Sequence, residues 1–300
     1  RLIDNYRVKH KAYYDEMNSI GGSSSLHRSS SATTKATAPK DTIIRRIMEN
    51  VTYADDLGRA ADIIILLVAA HDTTAYSISH TLMHIARSSP KELQTFRDKA
   101  KQIAANTSSP SPKSTDKSKL RQLHSIDELQ WMIQEGMRLS PVAAMGVARW
   151  IGKDWMYTIA DDTDKDKSSK DSSTDSDSDV SRPTKQRTFF LRKGSIALLS
   201  FFPSFRNPKY FEDPDEYIPS RWDSNNNKKT KSTTVPTQLS YFANGPRGCL
   251  GKYVAKVEME TVLATLLSKY DFEIASEGHV QYSLTLQTIG AQLVPKKIGA

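Results

Sequence analysis

The sequence has very little cysteine: a single residue, Cys249, in 300. No internal disulfide can form, which excludes a bridge-stabilised secreted scaffold and leaves the one thiol to be explained individually. Long apolar runs are also missing. The longest, Ile63 to Ala70, is about half the length a bilayer crossing needs and is bracketed by Asp62 and Asp72, so it reads as a core helix and no transmembrane segment is expected. The opening residues, RLIDNYRVKH, lack a methionine and any charged-then-apolar targeting pattern, which reads as a chain truncated at its start. There is no G-x-S-x-G elbow for a serine hydrolase, no HExxH for a zinc hydrolase and no evident internal repeat.

What is present is enough for a core: 38% apolar residues, with four Trp, twelve Tyr and nine Phe. The net charge of +8 favours acidic partners without choosing among them. Basic residues are spread across insertions rather than interleaved with aromatics in one stripe, so nucleic acid is not an expected partner. Four stretches break the globular pattern: Gly21 to Lys40, Ala104 to Lys119, Asp161 to Lys185 and Ser224 to Thr237. Rich in Ser, Thr, Lys, Asp or Asn, they bury too little apolar surface to offset ordering entropy and read as solvated insertions near 21–40, 104–119, 161–185 and 224–237 of one domain.

Between them, Thr52 to Ser88 has apolar residues at helical spacing and no proline before Pro90, predicting one helix on the order of 50 Å long. A second helix is predicted over Ile126 to Leu139, stopped by Pro141. The β-prone stretches Trp155 to Ile159, Thr188 to Leu191 and Ile196 to Ser200 suggest a hairpin lengthened at its tip by the acidic insertion. A last helix is predicted from about Gly251 to Lys269, with Val254, Val257, Val262, Leu266 and Leu267 on its inner side. The class is mainly α with a minor β part.

The lone thiol sits in YFANGPRGCLGK, Tyr241 to Lys252. Gly245, Gly248 and Gly251 permit tight turns and close approach to a flat cofactor, while a helix starting just after Cys249 favours an anionic sulfur at its N-terminus. Phe242 can shield that sulfur, and Arg247 is a forked donor suited to a carboxylate. A phosphate-binding loop is excluded by register, because Leu250 stands where a glycine is needed and Lys252 is followed by Tyr253.

FANGPRGCLG, Phe242 to Gly251, resembles the haem-binding signature FxxGxRxCxG of the cytochromes P450 at every specified position. The resemblance implies that Cys249 is the axial thiolate of haem b (iron protoporphyrin IX), Arg247 a propionate partner and Phe242 the ring beside the sulfur. It implies the P450 fold, incomplete at its N-terminal side.

Further segments extend the resemblance. AAHDTTA, Ala69 to Ala75, is similar to the oxygen-activation motif, with Asp72 and Thr73 as the acid and alcohol that deliver protons to bound dioxygen. The Thr73 hydroxyl is expected on the Ala69 carbonyl, loosening the helix. The family usually has glycine where this chain has Ala70. Glu135 and Arg138 match its ExxR pair, and YIPSRW resembles the segment whose arginine, here Arg221, joins that pair to preserve the folding and integrity of the haem pocket. Arg149 resembles the arginine that reaches a propionate from a strand. His80 and His84 have the spacing of a helical metal pair but no third ligand, and read as ordinary helix residues.

The implied activity is monooxygenation of a lipophilic small molecule by dioxygen, with electrons from a flavoprotein reductase or ferredoxin attracted to Arg247, Lys252 and Lys256. Alternatives are a non-catalytic fragment and a P450-fold isomerase or dehydratase acting on peroxides. For a full-length form the resemblance implies membrane association, at the endoplasmic reticulum or plastid.

Overall fold

The computed structural model describes residues 2–19, 42–106, 121–160, 186–223 and 241–299. Most of the four expected insertions lies outside the described residues; of the second, residues 104–106 are still helical. The chain forms two compact units, Arg1–Ala75 and Tyr76–Ala300.

The first unit holds α1 (Leu2–Ser19), α2 (Ile43–Glu49) and the start of α3 (Asp56–Ser88). Thr42 caps α2 by accepting the Arg45 N–H at 3.2 Å. The long helix begins at Asp56 rather than near Thr52 because Asn50 takes both the N–H and hydroxyl of Thr52, and Asp55 accepts the Gly58 N–H at 2.9 Å. Arg7 of α1 grips Asp56 with both guanidinium nitrogens, at 2.6 and 2.8 Å, and holds its carboxyl below the usual range. In the apolar run of α3, Ile63 is buried, but Ile64, Ile65, Leu67 and Val68 are exposed. The expected core helix therefore has an uncovered apolar face. By length and composition alone it is long and apolar enough to cross a membrane, yet any such span of it includes Asp72, a costly residue in hydrocarbon.

The second unit is built on four helices: the end of α3, α4 (Lys91–Asn106), α5 (Asp127–Leu139) and α7 (Lys252–Leu267), with a short α6 (Phe201–Ser204) between the last two. Leu82 and Ile85, Leu93 and Phe96, Leu129, Met132, Ile133 and Met137, and Met259, Leu263, Ala264 and Leu267 make one buried cluster. Each large side chain so buried contributes roughly 1.5–3 kcal/mol. Two helices of this cluster touch closely: a Cβ on Gly136 of α5 would lie 3.1 Å from the Cα of Thr81 on α3, so only glycine admits this approach. On α7 the inner side differs from expectation. Val254 and Val257 are 67% and 54% exposed, and the core begins at Met259, because the other three helices cover only the C-terminal part of α7.

The strands form nested pairs. β2 (Trp155–Ala160) and β3 (Gln186–Leu191) are the arms of the expected hairpin, but β4 (Ile196–Leu199) pairs with β1 (Val147–Trp150), Arg149 opposite Ala197. After α7 come β5 (Tyr270–Ser276) with β8 (Gln292–Lys297), around β6 (His279–Tyr282) with β7 (Leu286–Ile289).

Two histidines of α3 tie these parts together. His80 shares a hydrogen bond with Thr288 (3.1 Å) and His84 with Ser140 (2.9 Å), and the His84 ring stacks on Tyr217 at 5.3 Å. Burial, helped by Arg87, His80, Arg206 and Arg138, pushes His84 down to about 3. The unfolded chain therefore takes up a proton near pH 6.5 that the folded chain refuses. Stability present above that pH falls as pH drops towards 3, with a slope approaching about 1.4 kcal/mol per unit for this group. Denaturant titrations between pH 7 and 4 check this, and His84→Gln is expected to flatten the slope.

Candidate functional site

Helix α5 places Glu135 and Arg138 three residues apart on one face, both fully buried. Arg138 grips the carboxylate with Nε to Oε2 at 3.0 Å and Nη2 to Oε1 at 2.8 Å. Its remaining N–H groups donate to the carbonyls of Phe205, Pro214 and Glu216 at 2.9, 2.6 and 3.0 Å. Arg221, in the 3-10 turn Pro219–Trp222, donates through Nε to Glu135 Oε1 at 2.8 Å and through its other nitrogens to the carbonyls of Glu212 and Asp213. The Ile218 N–H (3.0 Å) and the Trp222 indole N–H (2.9 Å) complete the set. Phe211 lies under both guanidinium groups, 5.0 Å from Arg138 and 6.0 Å from Arg221. A buried carboxylate is tolerable when its lone pairs are filled, and here five N–H donors fill them.

Two tyrosines fasten neighbouring segments to the same helix. The Tyr217 hydroxyl donates to the Met132 carbonyl at 2.8 Å and the Tyr241 hydroxyl to the Gln134 carbonyl at 3.1 Å. Burial and the nearby Glu135 charge raise both phenols well above their usual value, so both keep the donated proton.

Tyr241 opens the cysteine loop. Phe242 packs against the four-helix core, and its carbonyl accepts the Cys249 N–H at 2.8 Å, closing the loop at its base. Between them the chain turns through Ala243 (φ 54°) and Gly245 (φ 75°), and the Gly248 N–H returns to the Gly245 carbonyl at 2.9 Å. Gly245 supplies the left-handed conformation without strain, whereas Ala243 adopts it with a side chain. Cys249 is exposed two residues before Gly251, the N-cap of α7, where a Cβ would stand 3.9 Å from Sγ. Leu250, Tyr253, Val254 and Val257 beside it are also exposed, and Arg247 is exposed on the loop. An exposed thiol flanked by uncovered apolar side chains, with a guanidinium nearby in the loop, fits a flat apolar macrocycle that takes sulfur ligation and bears carboxylates.

Arg149 lies exposed on β1, its Nη1 on the Ala148 carbonyl at 2.9 Å. In the first unit, the Thr73 hydroxyl donates to the Ala69 carbonyl at 2.6 Å. Asp72 lies 2.9 Å from His71 and its side chain is 43% exposed, not buried as a core-helix carboxylate, because that side of α3 is uncovered. The structure thus brings Glu135, Arg138 and Arg221 into one cluster and places Phe242, Gly245, Arg247, Cys249 and Gly251 in one loop. Trp222, Tyr217 and Tyr241 were not singled out by spacing; the available signal was an indole or phenol next to a motif, since such rings need a polar partner when buried.

The Cytochrome P450 family profile matches residues 177–299. Cytochrome P450 3A18 of Rattus norvegicus is 25% identical over 243 residues, covering 80% of this chain and 40% of that protein. Cytochrome P450 monooxygenase BOT4 of Botryotinia fuckeliana is 32% identical over 152 residues, covering 51% and 22%. A mitochondrial relative, Cytochrome P450 302a1 of Drosophila melanogaster, is 25% identical over 219 residues, covering 73% and 35%. Among solved structures, the cytochrome P450 CYP102L1 superposes with a TM-score of 0.58 at 22% identity, covering 81% of this chain and 46% of that one. The profile, the relatives and the structural likeness together support a partial chain of a cytochrome P450 family member, with part of the P450 fold. It spans about 40% of the length of the rat relative.

Removing Glu135 leaves two guanidinium groups facing each other without their shared anion. Glu135→Ala is expected to cost roughly 3–5 kcal/mol in denaturant unfolding, far more than an exposed pair such as Lys296–Glu273, whose loss is expected to cost about 1 kcal/mol or less.

Proposed function

We propose that the protein is a haem-thiolate monooxygenase in its full-length form, inserting one oxygen atom from dioxygen into a lipophilic small molecule with electrons from a flavoprotein reductase or ferredoxin. The observation that carries this reading is the Cys249 loop: an exposed sulfur ahead of a helix N-terminus, its amide fixed by the Phe242 carbonyl, with bare apolar side chains beside it. Haem b, when bound, supplies the redox and oxygen-activating chemistry.

In this reading Cys249 would hold the haem iron through its sulfur, and Phe242, packed into the core at the loop's base, would shield that sulfur from water. Arg247 and Arg149 would take the propionates, and Gly245 and Gly251, having no Cβ, would let the macrocycle approach the backbone. Thr73 and Asp72 would hold and pass protons; the Thr73 hydroxyl on the Ala69 carbonyl and the Asp72 carboxylate beside His71 are two separate polar groups following the apolar run of the helix. The presence of this acid and alcohol favours oxygen insertion over rearrangement of peroxides, which needs no delivered proton. The Glu135–Arg138–Arg221 cluster keeps the pocket's framework in place. Positive charge at Arg247, Lys252 and Lys256 supports docking of an acidic electron donor, while membrane association of the full-length form, at the endoplasmic reticulum or plastid, rests on the family resemblance alone.

Spectra of the reduced protein with carbon monoxide test the reading. A red-shifted thiolate-type band is expected, lost in Cys249→Ala; its absence in the unmodified protein would sink the haem-thiolate assignment. Thr73→Ala is expected to keep the band and divert reducing equivalents to peroxide, and an unchanged product yield would refute its proton role.

A further inference from the structure

Tyr241 stands one residue ahead of the signature loop and is not one of its specified positions. We propose that Tyr241 is a positioning residue for Cys249: its phenol fastens the base of the cysteine loop to the helix that carries Glu135. The functional consequence rests on the haem-thiolate reading; the anchoring rests on geometry.

The connection is short. Gln134, whose carbonyl accepts the phenol proton at 3.1 Å, is the immediate neighbour of Glu135 on α5. The Tyr241 ring meets Phe205 edge-on at 5.2 Å and Trp222 at 6.5 Å, and Trp222 is itself held by its indole N–H on Glu135 at 2.9 Å. Hydroxyl and ring are therefore both referred to the buried charge cluster. The next carbonyl along the chain, that of Phe242, receives the Cys249 N–H at 2.8 Å. One phenol hydrogen bond, one peptide unit and one backbone hydrogen bond thus lead from the helix to the cysteine. The tip of the loop offers no comparable hold, since Asn244, Gly245, Pro246 and Arg247 are all exposed.

Tyr217 provides an internal comparison. Its hydroxyl donates to the Met132 carbonyl of the same helix at 2.8 Å and its ring stacks on His84, but it leads into the Pro219–Trp222 turn and not into the cysteine loop. Tyr241→Phe and Tyr217→Phe each delete one phenol-to-helix hydrogen bond and keep the ring. A purely structural role predicts the same behaviour for both; a positioning role predicts a difference at Cys249.

The test is amide hydrogen exchange of the intact protein, followed by the carbon monoxide spectrum of its haem-loaded form. In Tyr241→Phe the Cys249 amide is expected to exchange about tenfold faster while the buried amides of α5 and α7 keep their rates. The thiolate-type share of the reduced carbon monoxide band is expected to fall with haem content preserved. Tyr217→Phe is expected to lower thermal stability comparably and to change neither readout. An unchanged Cys249 exchange rate in Tyr241→Phe, or an equal acceleration in Tyr217→Phe, overturns the proposal; faster exchange with an unchanged band overturns its functional consequence. If the unmodified protein gives no thiolate band at all, the haem-thiolate reading fails, while the exchange rates still decide whether Tyr241 holds Cys249.

Discussion

One carboxylate deprived of water organises the second unit. Glu135 is fully buried, and its charge is tolerable only because five N–H donors converge on two oxygens, from Arg138 on its own helix and from Ile218, Arg221 and Trp222 in the turn that packs over it. The two arginines spend their other protons on five backbone carbonyls between Phe205 and Glu216. A segment with little regular structure of its own is thereby held to α5 by charge-assisted hydrogen bonds. The same desolvation that makes the carboxylate costly alone makes each donor hard to replace, so the arrangement selects one path for the chain.

The cysteine loop hangs from this framework at its base and is free at its tip. Tyr241 and Phe242 are packed inward, Asn244 to Arg247 outward, and the thiol reappears beside a row of exposed apolar side chains on the way into α7. Leu250, Tyr253, Val254 and Val257 are exposed close in sequence to the lone sulfur, and in the proposed function they form the surface that a flat, apolar haem would cover. The apolar face of α3 at Ile64, Ile65, Leu67 and Val68 is likewise uncovered in a chain that spans about 40% of the length of its rat relative.

Much of this was legible beforehand because it rests on local rules. Helical periodicity located α3, α5 and α7 to within a few residues, and the hairpin arms β2 and β3 followed from β-prone runs flanking a polar insertion. Where the reading departed, the deciding partner was remote in sequence. Ile196 to Leu199 looks like part of that hairpin but pairs with Val147 to Trp150 across it. Val254 and Val257 have the spacing of an inner face, yet no core helix reaches them, and Asp72 was placed in a core that leaves its side of α3 open. The strands after α7 were not anticipated, although YDFEIAS alternates; pairing β5 with Gln292 to Lys297 requires the chain between them to fold back.

Sequence alone determined the chemistry on offer: one cysteine in a glycine-bearing turn before a helix, an acid and an alcohol in an apolar helix, and a glutamate three residues from an arginine. Those are short-range patterns, set by turn geometry and helical spacing. Only the tertiary structure decided that Glu135 takes five donors, that Trp222 is one of them, and that Tyr241 ties the cysteine loop to the neighbouring carbonyl of Gln134. These long-range hydrogen bonds join residues 83 to 107 positions apart, and no local propensity encodes which distant donor a buried acceptor will receive.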